Sequence, residues 1–432
     1  MRNAQVLPDG VMNSQRDRTQ APRSLPMRAG RWLRSPWTPV VIVLVCYTWW
    51  TLAILHAGHD VHDFIHVGRN FAQQSTKSAT INAAFGPDYH YDPIVGYDGQ
   101  FCYYIALDPV NARYYIDRPA FRYARILYPM AARLLAFGQS ALIPYTLLLT
   151  NWLAVGGGTL LVALWLQRKG RPTWLAIFYG LYSGLLIAYQ RDLTEPLSYG
   201  LVALAIYLFD FGGRRRLIWS GLAFAGALLA RETTVVFAGL YGIAPLFASL
   251  ASGDTISTLR GWRDRLLASI RAGWRSAALL LSVAFAPYLL YRLFLLLWLG
   301  SPGVRADLSP QLIPFGGLLV YWPWPTLGWT VATLVIPALV CAVLGLLALR
   351  RQPFSVEIWA LLANVLLFIV MLPPLDYVDY QGTGRITTGI VLAALLCVPA
   401  FDSLKGRPRW WLSVCGALWI TVTVFLLVTV TM

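Results

Sequence analysis

WTPVVIVLVCYTWWTLAILH, residues 37–56, runs directly into AGHDVHDFIHVGRN, residues 57–70, so an apolar stretch ends in a patch of histidine and aspartate. A helix rises about 1.5 Å per residue, so roughly 20 such residues match the ~30 Å hydrocarbon layer of a bilayer. The stretch is longer than a signal-peptide core and no small-x-small cleavage site follows it, which predicts an uncleaved first transmembrane helix. Working outward from that helix organises the rest of the chain.

The chain has 432 residues, 57% hydrophobic and 13% charged, with mean hydropathy +0.56. That is too apolar for a soluble domain of ordinary charge content. A formal charge of +15 would raise the question of nucleic acid in a soluble protein. Here the basic residues gather in short gaps between apolar runs, where they orient a membrane protein, so no nucleic-acid partner is expected. Cysteines at 46, 102, 341, 397 and 415 are scattered and offer neither a disulfide framework nor a CxxC metal motif.

Residues 1–36 carry Arg2, Arg16, Arg18, Arg23, Arg28, Arg31 and Arg34 among Pro, Ser and Gln, which predicts a disordered cytoplasmic tail. Beyond 37–56, apolar runs at 140–166, 172–189, 196–212, 217–231, 234–252, 277–299, 326–349, 355–373, 386–402 and 410–430 predict further spans. The expected fold is an all-α polytopic membrane protein of about eleven transmembrane helices. It divides into the tail, the first helix, an extracytoplasmic loop at 57–139, a core module at 140–300, a second loop at 301–325 and C-terminal helices at 326–432. Alternate gaps hold Arg168, Lys169 and Arg171, Arg214 to Arg216, Arg260 to Arg275, Arg350 with Arg351, and Lys405 to Arg409. The positive-inside rule puts those gaps and the N-terminus in the cytoplasm.

The opposite gaps then face out, and they hold most of the candidate chemistry: the 57–139 loop, QRDLTEP at 190–196, RETT at 231–234 and PPLDYVDYQGTGR at 373–385. GYDGQF at 96–101 places Asp98 between a turn and a helix start. There it either caps the first turn or faces a substrate, and the flanking glycines suggest close approach to the backbone. Tyr97 and Gln100 join it as candidate binding residues. HAGHDVHDFIH at 56–66, if the first helix continues, sets His59 beside Asp63 and His62 beside His66 at i, i+4 spacing. Such pairs can take a divalent metal, but spacing fixes no third or fourth ligand, so no metal site is assigned and no cofactor is firmly expected. Polar capping of the helix end, or assistance by a His and Asp60 or Asp63, are the other readings.

DRPAFRYARILYP at 117–129 offers Asp117 as a cap and sets Arg118, Arg122 and Arg125 along one side of a helix. They either bind a phosphate or snorkel to lipid headgroups. Arg191 with Asp192 and Glu195, and Arg231 with Glu232, put cation beside acid at the outer ends of spans. Ionisable groups at that depth are costly and pair or face a cavity. An anionic ligand would account for Arg191, Arg231 and Arg385 together.

These motifs carry a family likeness. YDGQFCYYIALDP followed by RILYP resembles the WDG…IA…FFPLYP arrangement of PIG-V-type mannosyltransferases and related bacterial membrane proteins, and LTEPL at 193–197 is similar to their TE/SE-x-L segment. Those proteins belong to the GT-C superfamily of polyprenyl-phosphate-sugar-dependent glycosyltransferases, and the likeness covers roughly residues 40–240. The resemblance implies a bacterial plasma-membrane enzyme with an extracytoplasmic active site, short interfacial helices in its first loop and Asp98 in the place of the loop aspartate. In many relatives that aspartate directly follows the first span, where this chain has Asp60 and Asp63, so all three remain candidate bases; the metal-binding Asp-x-Asp of some members is absent.

The activity so implied is inverting transfer of a sugar from a polyprenyl-phosphate donor to a hydroxyl on a glycan, lipid or protein acceptor. The base takes the acceptor proton, and Arg191, Arg231 and Arg385 stabilise the departing lipid phosphate. Two other classes compete. One is a membrane acyl or phosphoryl transferase using the His56–His66 cluster. The other is a lipid or solute transporter, against which stand the scarcity of mid-bilayer charge and the absence of an internal repeat.

Overall fold

The computed structural model of the chain describes residues 34–74, 92, 95–250, 259–303, 312–321, 325–404 and 408–430. Most of the expected tail 1–36 lies outside them, as do Asp88, His90, Lys405, Arg407 and part of the expected loop 301–325. Among the described residues all regular structure is helical, and extended chain pairs only at the isolated bridges Val67 to Gly96 and Gly68 to Asp92.

In chain order, α1 (Trp37–His56) and the short helix Arg69–Gln74 precede α2 (Gly99–Leu107), α3 (Pro119–Tyr123) and α4 (Leu127–Leu135). Then come α5 (Ile143–Arg168), α6 (Ser183–Gln190), α7 (Glu195–Phe211), α8 (Arg216–Ala230) and α9 (Val235–Ile243). The chain continues through α10 (Leu259–Leu299), α11 (Ile336–Leu349), α12 (Val356–Val365), α13 (Tyr380–Ile386), α14 (Thr388–Leu396) and α15 (Pro408–Thr429).

Helix α1 buries Val43, Tyr47, Trp50 and Ile54 on one stripe, at spacings of four, three and four residues, and exposes Val41, Val45 and Leu52 on the other. That is the pattern of a helix with one side on protein and one on lipid. It does not continue into the histidine patch as the i, i+4 reading requires. Gly58 turns to a φ of 98° and the chain restarts as a single 3-10 turn at Val61–Ile65, because only glycine takes that conformation without cost.

Five helices are long and apolar enough to cross a membrane: Trp37–His56, Ser140–Arg168, Trp262–Leu299, Leu327–Leu349 and Trp410–Thr429. The chain is therefore an all-α membrane protein. The other six apolar runs counted as spans are shorter or jointed helices. The run 172–189 breaks at Tyr182, whose ψ is 131°, and 386–402 breaks at Cys397. The run 355–373 loosens into a π turn at Leu366–Val370 and stops before Pro374. Every residue of α6 and α14 is buried. A helix that is apolar all round packs in a protein core as readily as in lipid, so hydropathy counts both alike.

The 57–139 loop is packed rather than open. Tyr103, Tyr104 and Ile105 of α2, Tyr123 of α3, and Tyr128 and Ala132 of α4 bury against Ile143 and Leu147 of α5 and Leu295 of α10. This cluster fixes α2 and α3 over the end of the bundle where α7 begins and α8 ends. Glu195, Arg231 and α13 are brought to the same place.

Candidate functional site

Each residue of Tyr97-Asp98-Gly99-Gln100 has a separate task. Gln100, 1% exposed, accepts from the backbone N–H of Gly68 at 3.1 Å and donates to the Val95 carbonyl at 2.7 Å, stitching two strands of the loop together. It was expected to bind substrate, but it turns into the loop because both ends of its amide are used there. Gly99 sits against the turn after α6: a Cβ there would lie 2.0 Å from the Arg191 carbonyl oxygen. Tyr97 lies under two guanidiniums, with Arg191 4.4 Å and Arg385 5.0 Å from its ring centroid.

Asp98 stands at the start of α2 with helical backbone angles and makes no capping bond. Its carboxylate points instead to Arg122, 2.8 Å away, and Arg385, 3.8 Å away. From there a charged network spreads. Arg385 also approaches Glu195 at 3.5 Å, and Arg231 meets the same oxygen at 2.7 Å. Arg125 holds Glu232 through two bonds of 2.5 and 3.0 Å, and Arg122 holds Asp117 through two of 2.6 and 3.0 Å. Asp117 thus serves Arg122 rather than capping α3. Asp98, Arg122, Arg125, Glu195, Arg231 and Arg385 line one cavity of about 20 Å³, with Phe101, Cys102, Ile105, Leu193 and Thr194 as its other walls. That is room for about one water.

Cations outnumber acids in the cavity lining itself, where Arg122, Arg125, Arg231 and Arg385 face Asp98 and Glu195, with Asp117 and Glu232 paired behind Arg122 and Arg125. Arg191 adjoins them at Tyr97; Asp379 and Asp92 attract it from beyond ion-pair distance, and its Nε is buried without a hydrogen-bond partner. Both oxygens of Glu195, fully buried, also lack a well-aligned hydrogen bond despite the short ion contact. Burial pushes the Asp98 carboxyl upward, but Arg122, then Arg385 and Arg125, outweigh it and hold it at about 2. His66, at the left-handed end of the 3-10 turn, is lowered to about 4 by burial and by Arg191.

The remaining candidates divide. Arg118 is exposed, at a φ of 41° just before α3, and is not part of the cavity lining, because the helix is too short to carry all three arginines on one side. His59 pairs with Asp63 at 3.1 Å and His62 with Asp60 at 2.9 Å, and neither pair lines the cavity. Asp60 and Asp63 are also the reciprocal caps of the 3-10 turn. Asp192 is fully buried at a φ of 47°; Tyr128 donates to it at 3.4 Å and Asn151 donates to Tyr128 at 2.8 Å. Asn151 escaped the sequence reading, and Tyr128 and Thr194 entered it only as letters of RILYP and LTEPL. A lone Asn inside the apolar run 140–166 was the available signal, since a buried amide needs a partner. Among the described residues no group of three or more His, Cys, Asp or Glu comes together to hold a metal. No family model, curated protein or solved structure matches the chain.

Proposed function

We propose that the cavity under Asp98 is the active site of a membrane glycosyltransferase that moves a sugar from a polyprenyl-phosphate donor to a hydroxyl acceptor. The single observation behind this reading is the surplus of guanidinium at one small cavity, where Arg122, Arg125, Arg231 and Arg385 face Asp98 and Glu195 and Arg191 shares the Tyr97 ring with Arg385. Like charges held that closely cost energy that an anion would relieve, and arginine suits phosphate because it can donate two parallel bonds. The position at the end of a bundle of apolar helices suits a donor whose phosphate is at the interface and whose tail is in lipid.

In this reading the acceptor oxygen attacks the anomeric carbon from the face opposite the phosphate, and the carbon–oxygen bond to the phosphate breaks with inversion. The acceptor proton passes to Asp98, and the charge growing on the leaving phosphate is met by Arg191, Arg385 and Arg231. A carboxyl held at about 2 is a weak base. Phosphate binding would draw Arg385 away from Asp98 and raise its basicity when the substrate is in place. The cavity has to widen for this, and the 3.8 Å contact between Arg385 and Asp98 is the weakest joint.

The test is transfer from a panel of labelled polyprenyl-phosphate sugars by the full-length protein in lipid nanodiscs. Asp98→Asn should lower transfer by about 100- to 10,000-fold, the usual worth of a positioned base, while donor binding persists. Full activity in Asp98→Asn would remove it as base, and Asp60→Asn and Asp63→Asn would then arbitrate. Arg191→Gln should weaken donor binding with little change in folding.

A further inference from the structure

A second, larger cavity of about 920 Å³ lies at the other end of the same helices. Glu195, at the start of α7, lines the small cavity, and Asp210, near the end of α7, lines the large one. At about 1.5 Å per residue the two are separated by roughly 22 Å along that helix. Likewise Arg216 begins α8 at the large cavity and Arg231 follows its end at the small one.

The acids in the large cavity are already engaged. Asp210 is held by Lys169 at 3.1 Å and by the Trp165 indole at 2.8 Å, and Glu357 accepts from Ser355 at 2.7 Å. The cations are not matched in the same way. Arg216 is exposed and has no ion pair among the described residues, and Arg351, also exposed, reaches the Ser403 carbonyl and no acid among the described residues. Small side chains open the space, and Phe354 lines one wall, backed by Phe247 with ring centroids 6.2 Å apart. One side is formed by the first part of α10, whose 41 residues span roughly 60 Å, about twice the ~30 Å hydrocarbon layer. That extra length carries Arg263, Arg265, Arg271 and Arg275 with the exposed Trp262 and Trp274. Tryptophan and arginine together mark the membrane–water boundary.

We infer that this cavity binds an anionic phospholipid of the adjacent leaflet, its phosphate between Arg216 and Arg351 and its glycerol backbone along the aromatic wall. The volume falls within the ~300–1,000 Å³ of ordinary small-molecule sites, and the charge selects an anionic headgroup. The site is independent of the transfer chemistry at the opposite end.

Full-length protein in detergent micelles, titrated with phosphatidylglycerol or phosphatidylcholine and read by native mass spectrometry, tests the inference. Phosphatidylglycerol should bind at least tenfold tighter. Arg216→Gln should weaken it about fivefold and the double variant with Arg351→Gln about 25-fold, following the ~1 kcal/mol worth of each basic residue near an anionic surface. Arg216→Lys should keep most of the binding, and Ala272→Trp should block it with no change of charge. Equal binding of the two lipids, an unaffected double variant, or glycerol phosphate binding as well as the lipid would overturn the proposal. So would indifference to Ala272→Trp.

Discussion

Asp98 and His66 both make stability fall as the pH drops, each over its own range. The Asp98 carboxyl, at about 2 in the fold against about 3.9 in an unfolded chain, is depressed, so its contribution is complete above ~4 and is lost as the pH falls toward 2. His66, at about 4 against about 6.5 unfolded, stays neutral in the fold while the unfolded chain takes up a proton. Stability therefore declines from ~6.5 downward and levels off below ~4. Thermal melts across pH should show both limbs in the wild type. Asp98→Asn should remove the lower one. His66→Asn should remove the upper one while tolerating the left-handed φ of 52°, which asparagine accepts better than most residues. An upper limb unchanged in His66→Asn would assign that titration elsewhere.

At the scale of elements, the site is held by contacts between helices that admit no side chain. A Cβ on Gly99 would meet the Arg191 carbonyl at 2.0 Å, and one on Gly184 of α6 would meet the Gly384 carbonyl of α13 at 2.1 Å. Backbone cannot give way as a side-chain tip can, so Gly99→Ala and Gly184→Ala should each cost about 3 kcal/mol, the upper end of overpacking. Gly157 of α5 has nothing within 4 Å, and Gly157→Ala should be neutral or stabilising by up to ~1 kcal/mol. Melting temperatures of the three variants make the comparison, and a similar loss in all three would refute the contact argument. The Arg125 to Glu232 pair ties the loop after α3 to the turn before α9. Glu232→Gln leaves Arg125 buried with half its partner, and with the Glu232 side chain 27% exposed the cost should be about 3 kcal/mol, the low end for a broken buried pair. Glu232→Gln with Arg125→Met should recover part of that loss.

For the whole molecule, orientation is the property most open to test. The Asp98 cavity and the basic turns Arg214–Arg216 and Arg350–Arg351 lie at opposite ends of α7 and α8, and the basic ends belong in the cytoplasm if charge sets the topology. A membrane-impermeant maleimide applied to intact cells should label Val110→Cys, 61% exposed in the loop beside the site. Arg214→Cys, exposed in the basic turn, should react only after permeabilisation. The reverse pattern would invert the protein and place the proposed transfer on the cytoplasmic side.

The sequence alone determined that this is a helical membrane protein, because lipid leaves an apolar backbone no other way to satisfy its hydrogen bonds than helix or closed barrel. It also showed which polar segments stand apart, since Asp98, Arg191, Glu195, Arg231 and Arg385 all interrupt apolar runs. It could not separate lipid-facing helices from helices buried on every side, which is why the runs 172–189 and 386–402, home of the buried α6 and α14, read as spans. Nor could it distinguish Gln100, turned into the loop, from Tyr97 beside it, or Arg118 from Arg122. Those distinctions depend on which backbones touch at Gly99 and Gly184 and on which side of a five-residue helix a guanidinium leaves. Tertiary packing decides them, over short separations for Gln100 with Gly68 and over long ones for Asp98 with Arg385.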